Sequence, residues 1–335
     1  MSEEMPPPMP VVEVPPAPTF QDRSTLLIVF GAGEILLGVL CGLLFLLGMF
    51  ARMVMGDMMA EQMGQQQFLL SFAIYLLAAV FLVWMGIGSI LAKRWARALM
   101  LIVSSIGLAV GSLCFVASCF IMPLVMYRTV AQDSDVPAEF ASIMVVVMLG
   151  FMFCIYVFLP GIFVLFYRSP HVKATCEYKD PVVRWTDKCP LPVLAVSILC
   201  GYGGAWMLLM APFMPIFPFL DTFITGPTAI ALMAGIAVVL LLFSRGIYRL
   251  RSAAWWGYTA FITLGVVFSM ATFPRLDWHE YYQAMGYSQQ QMDMMDKTGM
   301  AEMMSSPGMM GLMVCTFAVY LGYLLYVRRY FKDAH

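Results

Sequence analysis

The chain has 335 residues, of which 61% are hydrophobic and only 12% are charged, and its formal net charge is −1. Soluble domains have roughly 45–50% apolar and about 25% charged residues. Half the usual charge cannot cover the surface of a water-soluble protein of this length. The composition therefore excludes that class and predicts an integral membrane protein.

The apolar residues are gathered in eight runs, most of about twenty residues. A helix of that length crosses a hydrocarbon core of roughly 30 Å. The predicted fold class is therefore all-α: a polytopic transmembrane helical bundle with eight spans. In chain order, the predicted spans are 25–50, 68–92, 98–122, 142–166, 191–211, 227–244, 254–273 and 308–327.

Proline marks the irregular parts of the chain. Residues 1–23 are proline-rich and predict a disordered tail. The prolines of 211–227 are too close together for a helix and predict a tucked loop between the fifth and sixth spans. Pro160 and Gly161 predict a bend near the end of the fourth span.

Lysine and arginine alternate between the two sides of the membrane. One side carries 15 of them and the other carries 4, and the alternation holds at every loop. Because basic residues in short loops stay on the cytoplasmic side, both termini are predicted to be cytoplasmic. Two methionine-rich runs, at 53–63 and 292–313, then fall on the external side.

The two halves of the chain share a layout. The stretch "GIGSILAKRWARALMLI" aligns with "GIYRLRSAAWWGYTAFI" at an offset of 160 residues. Each half has four spans, an even number, so both halves enter the membrane in the same direction, which predicts a parallel repeat. The predicted domains are a cytoplasmic tail at 1–23, a first four-helix repeat at 24–168, a cytoplasmic linker at 169–190 and a second four-helix repeat at 191–335.

Two stretches carry a resemblance to known proteins. The pieces "FQDRSTLLIVFGAGEILLGVLCGLL" and "FYRSPHVKATCEYKDPVVRWTDKCPLPVL", together with the duplicated layout, resemble a group of uncharacterised bacterial multi-pass inner-membrane proteins with duplicated four-helix halves. The resemblance covers most of the chain. It implies a bacterial inner-membrane protein, and it implies no mechanism because the group has no assigned function.

Small residues four positions apart predict places where spans pack closely in lipid. Such pairs occur on the first, third and seventh predicted spans. The predicted packing residues are Gly38, Gly42, Gly107, Gly111, Gly265 and Ser269.

The methionines raise the question of copper. Thioether sulfur binds copper(I), and "MDMMDKTGMAEMMSSPGMMGLM" has nine methionines in twenty-two positions. On a helical wheel Met292, Met295, Met300 and Met303 share one face, and no histidine or cysteine joins the run. This pattern favours an amphipathic helix over about 290–305, lying along the outer interface, rather than a metal site.

Zinc is the second metal for which the sequence offers candidate ligands. His171, Cys176 and Cys189 lie in the linker. Structural zinc takes four ligands, typically with a close pair that closes a turn, and these three are scattered. The sequence therefore predicts no metal site and no cofactor.

Glu34 is the only formally charged residue well inside a predicted span. A carboxylate near the middle of a span costs on the order of 2.5–3.5 kcal/mol. We expect Glu34 to face the bundle interior and to be protonated or hydrogen-bonded. Its expected partner is a Ser, Thr or Tyr hydroxyl of another span, or a freed backbone carbonyl. Glu34 is the candidate functional acid, and its alternative role is to fix the position of its helix.

The sequence contains no H-E-x-x-H, no G-x-S-x-G and no phosphate-binding glycine loop, so no catalytic residue is predicted and the chain is not predicted to be an enzyme. The first hypothesis is a structural or interaction component that lies in the lipid bilayer and packs with other membrane proteins or with a second copy, without nucleic acid. The second is a transporter of a small or apolar substrate that uses Glu34 as a protonatable site. The third is periplasmic copper handling. The scarcity of polar groups in the spans favours the first.

Overall fold

The computed structural model describes residues 20–62, 65–132, 138–299 and 303–332. The described chain is 83% helical, and eight helices are long and apolar enough to cross a membrane. The predicted all-α class with eight spans is therefore confirmed. Most of the predicted disordered tail lies outside the described residues. The spans are Ser24–Val54, Phe72–Ile90, Arg94–Met126, Ser142–Arg168, Leu191–Met210, Gly226–Tyr248, Ser252–Thr272 and Pro307–Phe331.

The elements follow one another through short connections. The first half contains α1 (Ser24–Gln62), α2 (Gln65–Ile90), α3 (Arg94–Gln132), α4 (Ala138–Phe153), a π-helical turn (Cys154–Phe158) and α5 (Leu159–Arg168). The linker contains α6 (Pro170–Lys179) and a 3₁₀ turn (Trp185–Asp187). The second half contains α7 (Leu191–Met210), β1 (Ile216–Phe219), β2 (Thr222–Thr225), α8 (Gly226–Tyr248), α9 (Ser252–Thr272), α10 (Trp278–Ala284), α11 (Gln289–Thr298), α12 (Pro307–Val327) and α13 (Arg329–Lys332).

Helices α1 and α2 pack closely because glycines face each other where they cross. A Cβ on Gly31 would lie 2.7 Å from the carbonyl oxygen of Gly86, and a Cβ on Gly86 would lie 2.6 Å from that of Gly31. Further along the pair, a Cβ on Gly38 would meet the Ala79 carbonyl oxygen at 3.0 Å. Larger side chains at these positions would push the two helices apart.

The irregularity predicted at Pro160 takes the form of the π-helical turn that precedes it. Pro160 has no N–H and cannot donate to the carbonyl of Tyr156, four residues earlier. A π-helical turn is one way in which a helix absorbs such a break. The Tyr156 carbonyl oxygen faces α3 at Gly111, where a Cβ would come within 2.3 Å of it. Only glycine fits at that point without a shift of the helices.

The proline-rich segment between α7 and α8 is a β-hairpin and not an irregular loop. Strand β1 pairs with β2 in an antiparallel register that places Pro218 opposite Phe223. Leu220, at the turn, has a φ of +55°. Proline is tolerated here because each strand of a two-stranded sheet has a free edge. The prediction that no helix forms here holds, but the strands were not predicted.

The linker is a folded unit that packs against the spans. Helix α6 buries Val172 and Cys176 in the core of the first half. The Asp180 carboxylate accepts hydrogen bonds from the Arg184 guanidinium at 3.1 Å and from the Arg94 amide at 3.4 Å. Burial raises the pKa of Asp180, but these two donors outweigh it and hold that pKa below its usual value. An ionised Asp180 thus ties the linker to the first residue of α3.

The core consists of two clusters of buried side chains, one in each half. Tyr167 is a member of the first cluster and Trp255 of the second. Helix α3 contributes to both, because Met100 packs in the first cluster and Ile102 in the second. Ile198 of α7 packs against both clusters. The two halves therefore meet along α3 and α7.

The basic turns after α2 and α8 share their geometry at an offset other than the predicted one. Ala92 and Leu250 both have left-handed backbones, with φ of +48° and +56°, and are 158 positions apart. Gly88 and Gly246, also 158 apart, each face an alanine Cβ of the next helix at less than 3 Å. The offset of 160 is therefore two residues too long at this turn. The duplication of the whole half stays a prediction.

The methionine-rich segment near the C-terminus contains a shorter helix than predicted. Helix α11 begins with a capping box formed by Ser288 and Gln291. It ends at Gly299, whose φ of +66° is the left-handed conformation that terminates helices. The predicted continuous helix over 290–305 is therefore interrupted at Gly299, and the chain is helical again at Met303 and Met304. Residues 300–302 lie outside the described ranges.

Candidate functional site

The polar centre of the first half is built around Glu34 on α1. Its side chain is completely buried, with 0% of its surface exposed. The prediction that Glu34 faces the bundle interior is thus confirmed for its position.

Two hydroxyl groups from other spans contact the Glu34 carboxyl group. The Tyr167 hydroxyl on α5 lies 2.5 Å from Oε1, and the Ser89 hydroxyl on α2 lies 3.0 Å from Oε2. The two hydroxyl oxygens lie 2.8 Å apart. We call the group formed by Glu34, Ser89 and Tyr167 the polar triad. The triad joins three helices that are distant in sequence.

The close crossing of α1 and α2 explains why a short serine side chain reaches the acid. Glu34 follows Gly31 by three residues and Ser89 follows Gly86 by three residues, so each polar side chain shares a helix face with its glycine. Gly31 and Gly86 bring the two backbones together. Gly33 is not part of this helix crossing, because a Cβ there would meet no described atom within 4 Å.

Aromatic rings cover the third member of the triad. Phe30 stacks on Phe166 with ring centroids 3.8 Å apart. The Tyr167 ring makes an edge contact with Phe30 at 6.3 Å and lies beside Phe163 at 6.2 Å. This apolar surrounding strengthens the hydrogen bonds of the triad and makes an unpaired polar group there costly.

The number of protons decides how the triad is bonded. Three oxygen–oxygen contacts form a closed ring, and Ser89 and Tyr167 supply one proton each. If Glu34 is ionised, both protons point at its carboxylate and the contact between Ser89 and Tyr167 has none. If Glu34 is protonated, it donates to Tyr167, Tyr167 donates to Ser89 and Ser89 donates to the other oxygen of Glu34. All three contacts are hydrogen bonds only in the protonated state.

The electrostatic surroundings agree with a neutral acid. Across the described ranges, no Lys, Arg or His nitrogen forms an ion pair with Glu34 within 4.0 Å. A buried charge without a counter-ion is expensive, whereas a neutral, fully hydrogen-bonded acid is tolerated. Four cavities of the described chain are lined by residues other than Glu34, Ser89 and Tyr167. The triad therefore joins α1, α2 and α5 through side chains of the same chain.

The predicted packing residues fall into two groups. Gly38 and Gly42 face Ala79 of α2, and Gly111 faces the carbonyl of Tyr156. Gly107 lies opposite Pro160, with 4.0 Å between its hypothetical Cβ and the Cβ of that proline.

The pair on α9 is different. A Cβ on Gly265 would meet no described atom within 4 Å, and the Ser269 hydroxyl donates back to the Gly265 carbonyl at 2.9 Å. Within the part of the chain that the structure describes, no other span packs on Gly265, so the close helix approach expected at this pair stays a prediction.

The candidate zinc ligands do not converge. His171 accepts a hydrogen bond from the Gln21 amide at 3.4 Å, while Cys176 and Cys189 are buried. Burial raises the pKa of each of these two thiols to about 11, so both are protonated in the metal-free protein. Within the described residues, no group of three His, Cys, Asp or Glu side chains is placed to hold a metal ion.

The methionine runs are only partly described. On α11 Met292 is buried, with 3% of its surface exposed, while Met53 in the first run is 86% exposed. The side chains of 55–63 and of Met300 lie outside the described set. The methionines that are described behave as ordinary apolar side chains or face outward.

Sequence reasoning predicted the kind of group that contacts Glu34 but not the residues. Ser89 and Tyr167 are single hydroxyl residues at the ends of two apolar spans, and neither has a sequence motif of its own. One signal was present. Gly31, Glu34 and Gly38 share a face of α1 with the spacing typical of a close helix contact. A serine beside a glycine on the next span was therefore a natural partner.

Comparison with known proteins does not assign the chain to a family. No family model, curated protein or solved structure matches the chain. The eight apolar helices identify it as a multi-pass integral membrane protein.

Proposed function

We propose that the chain is a non-enzymatic protein of the bacterial inner membrane that serves as a structural or interaction component of a membrane assembly, with both termini cytoplasmic. The observation that carries the proposal is the polar triad. Its acid is 0% exposed, and both of its carboxyl oxygens contact hydroxyls of the same chain. The most conspicuous polar group in the spans is thus used to hold the bundle together.

A transport role for Glu34 has less support. A coupling acid must exchange its proton with water or contact a substrate during the cycle. Glu34 has no exposed surface, and stacked aromatic rings lie beside its Tyr167 partner. Opening the site would break hydrogen bonds among three helices at once. The geometry therefore favours a structural acid over a coupling site.

The α9 pair supports an interaction role. Gly265 and Ser269 have the spacing of a helix-packing motif, yet no described helix of the same chain covers Gly265. A transmembrane helix of another polypeptide, or of a second copy, fits such a surface because a small-residue pair allows two backbones to approach closely.

The test is affinity purification of the full chain in mild detergent, with co-purifying proteins and metals measured together. We expect the wild-type chain to retain a defined partner or a second copy, and Gly265→Leu to lose it. Gly150→Leu is the matched control, because Gly150 on α4 is also open but has no Gly, Ala, Ser or Thr four positions before or after it.

Two results would contradict the proposal. One is a monomeric wild-type chain with no partner. The other is proton-coupled uptake by reconstituted vesicles that Glu34→Gln abolishes without changing the fold, which would establish the transport hypothesis instead.

A further inference from the structure

A polar cavity of about 220 Å³ lies where the linker meets the spans. Its walls come from the start of α3, from α6, from the 3₁₀ turn and from the start of α7. The polar residues that line it are Arg94, Arg97, Lys173, Glu177, Thr186 and Asp187. Because α3 is a membrane span, the cavity lies at one end of that span and thus near the level of the lipid headgroups. We call it the junction cavity.

The charges of the junction cavity do not balance. Arg94 Nε lies 3.3 Å from Asp187 Oδ2, and an Arg94 terminal nitrogen lies 3.6 Å from Glu177 Oε1. Lys173 Nζ lies 3.8 Å from the same Glu177 oxygen. These two acids are thus engaged by Arg94 and Lys173. Arg97 forms no ion pair within 4.0 Å among the described residues, so the cavity keeps a positive charge.

Two residues that line the cavity each have a buried polar atom without a hydrogen-bond partner in the described chain. The two atoms are Arg97 Nε and the Thr186 hydroxyl oxygen. The Thr186 side chain belongs to a residue that is only 1% exposed. An unpaired buried donor costs about 1–3 kcal/mol and more when it is charged, so the two atoms favour a bound group that satisfies both.

Of the two helix ends at the cavity, the start of α7 adds to its positive potential, whereas the start of α3 already holds the Asp180 carboxylate. Arg94 is the first residue of α3 and Leu191 is the first residue of α7, and both line the cavity. The N-terminus of a helix carries about half a positive charge and free N–H groups, which favours an anion. Asp180 already uses the Arg94 amide of α3 in this way.

From this geometry we infer that the junction cavity binds a phosphoryl group, either free phosphate or the phosphate of an anionic lipid headgroup. Arg97 and Thr186 donate to separate oxygens, and the start of α7 supplies a further favourable dipole. A phosphoryl group presents at least two unesterified oxygens that can accept from these donors. Cys176 and Cys189 also line the cavity. Their thiols are protonated, so they are weak donors and add no negative charge that would oppose an anion.

The experiment measures thermal unfolding of the purified full chain by its intrinsic tryptophan fluorescence. One arm titrates inorganic phosphate in an uncharged detergent, against sodium chloride at matched ionic strength. The other arm compares vesicles of phosphatidylcholine with vesicles that also contain phosphatidylglycerol. A saturable shift with free phosphate identifies the soluble anion as a ligand. A shift with phosphatidylglycerol alone identifies the lipid headgroup, and either result supports the inference.

Three variants make the result specific. Arg97→Gln and Thr186→Val should weaken binding by about tenfold to a hundredfold, because each removes a donor to a charged group. Arg249→Gln is the control, since Arg249 is exposed at a basic turn and lies outside the cavity. Thr186→Val should fold at least as stably as the wild type without ligand, because it removes an unsatisfied buried hydroxyl.

The inference is overturned by an absence of any shift beyond that of chloride and phosphatidylcholine. It is also overturned if Thr186→Val folds normally and responds to the ligand as the wild type does. Thr186→Val keeps the test decisive even if Arg97→Gln fails to fold.

Discussion

Replacing Glu34 by leucine removes the carboxyl group to which both hydroxyls of the polar triad are hydrogen-bonded. Each hydroxyl then has only the other as a hydrogen-bond partner. The Ser89 and Tyr167 oxygens are 2.8 Å apart, so one can donate to the other while the second proton has no acceptor. An unsatisfied buried donor costs about 1–3 kcal/mol. Hydrogen bonds between membrane helices average about 0.6 and reach about 1.7 kcal/mol. We therefore expect Glu34→Leu to lower the free energy of unfolding by about 1–3 kcal/mol.

Glutamine at position 34 should behave differently. Its carbonyl oxygen can accept from Ser89, and its amide can donate to Tyr167, which reproduces the ring that a protonated Glu34 forms. Glu34→Gln keeps the shape and all three contacts but leaves its second amide proton without a partner. We therefore expect it to cost less than Glu34→Leu, which leaves one proton unpaired and also loses both contacts to residue 34. The difference between the two variants is the measurable quantity, since both remove the ionisable group.

The assay is reversible unfolding in mixed micelles with a rising fraction of dodecyl sulfate, followed by circular dichroism and tryptophan fluorescence. Ser89→Ala and Tyr167→Phe, combined with Glu34→Leu, complete double-mutant cycles that isolate each contact. If Glu34→Gln costs as much as Glu34→Leu, the acid is ionised in the folded protein and the proton count is wrong. If neither variant has an effect, the triad does not stabilise the bundle.

Infrared spectroscopy tests the protonation state directly. At neutral pH the wild type should show the carbonyl stretch of a protonated carboxylic acid, and Glu34→Gln should lack it. If the wild type and Glu34→Gln do not differ in that band, Glu34 is not protonated and the closed ring of three hydrogen bonds is refuted.

Three further predictions concern the packing, the linker and the orientation. Gly86→Leu should destabilise the bundle by about 1–3 kcal/mol or more because it forces α1 and α2 apart, whereas Gly235→Leu, which faces open space, should not. Asp180→Asn should lower the free energy of unfolding above about pH 4, because the folded-state pKa of Asp180 is lowered. This loss of stability relative to the wild type should vanish as pH falls through that lowered pKa, which unfolding measured at several pH values tests. Cysteines placed at Ala60 and at Val183 should react with an impermeant maleimide from opposite sides of the membrane, and labelling from the same side would contradict the orientation.

The spans could be predicted because their signal is local. Each has about twenty apolar residues, and water cannot satisfy a backbone in hydrocarbon, so the helix is the only solution. The inward position of Glu34 was predictable for a similar reason, since a lipid-facing carboxyl at that depth is costly. Both inferences depend on composition and depth and require no knowledge of which helices are neighbours.

What could not be predicted depends on contacts between distant segments. The π-helical turn before Pro160 and the glycine at position 111 form one feature, but they lie on different helices. The junction cavity needs the linker to fold back on α3, which its polar sequence does not indicate. The offset of 160 aligns Trp95 with Trp255, but at this turn the left-handed residues Ala92 and Leu250 are 158 positions apart, and that backbone geometry has no signature in the sequence.

The two helix hairpins of the chain indicate what Glu34 adds to the fold. In α1 and α2, Gly38 lies against the carbonyl oxygen of Ala79, and in α7 and α8, Gly204 lies against that of Ala237 in the same way. The second hairpin is held without an acid. Between α7 and α8, the Ser197 and Ser244 hydroxyls donate to each other's backbone carbonyls at 2.9 and 2.8 Å, and the Cys200 thiol donates to the Leu240 carbonyl at 3.1 Å.

A carboxyl group is therefore not needed to hold such a hairpin together. In the first half it provides something that a serine pair does not, a hydrogen-bonding group that reaches a third helix through Tyr167. The role of Glu34 is then to fix α5 against the α1–α2 hairpin. Since α5 leads directly into α6 and the junction cavity, Tyr167→Phe should loosen the linker while leaving the crossing of α1 and α2 intact. Faster hydrogen exchange in 170–179 with unchanged exchange near Gly31 and Gly86 would show this, and equal loosening of both regions would refute it.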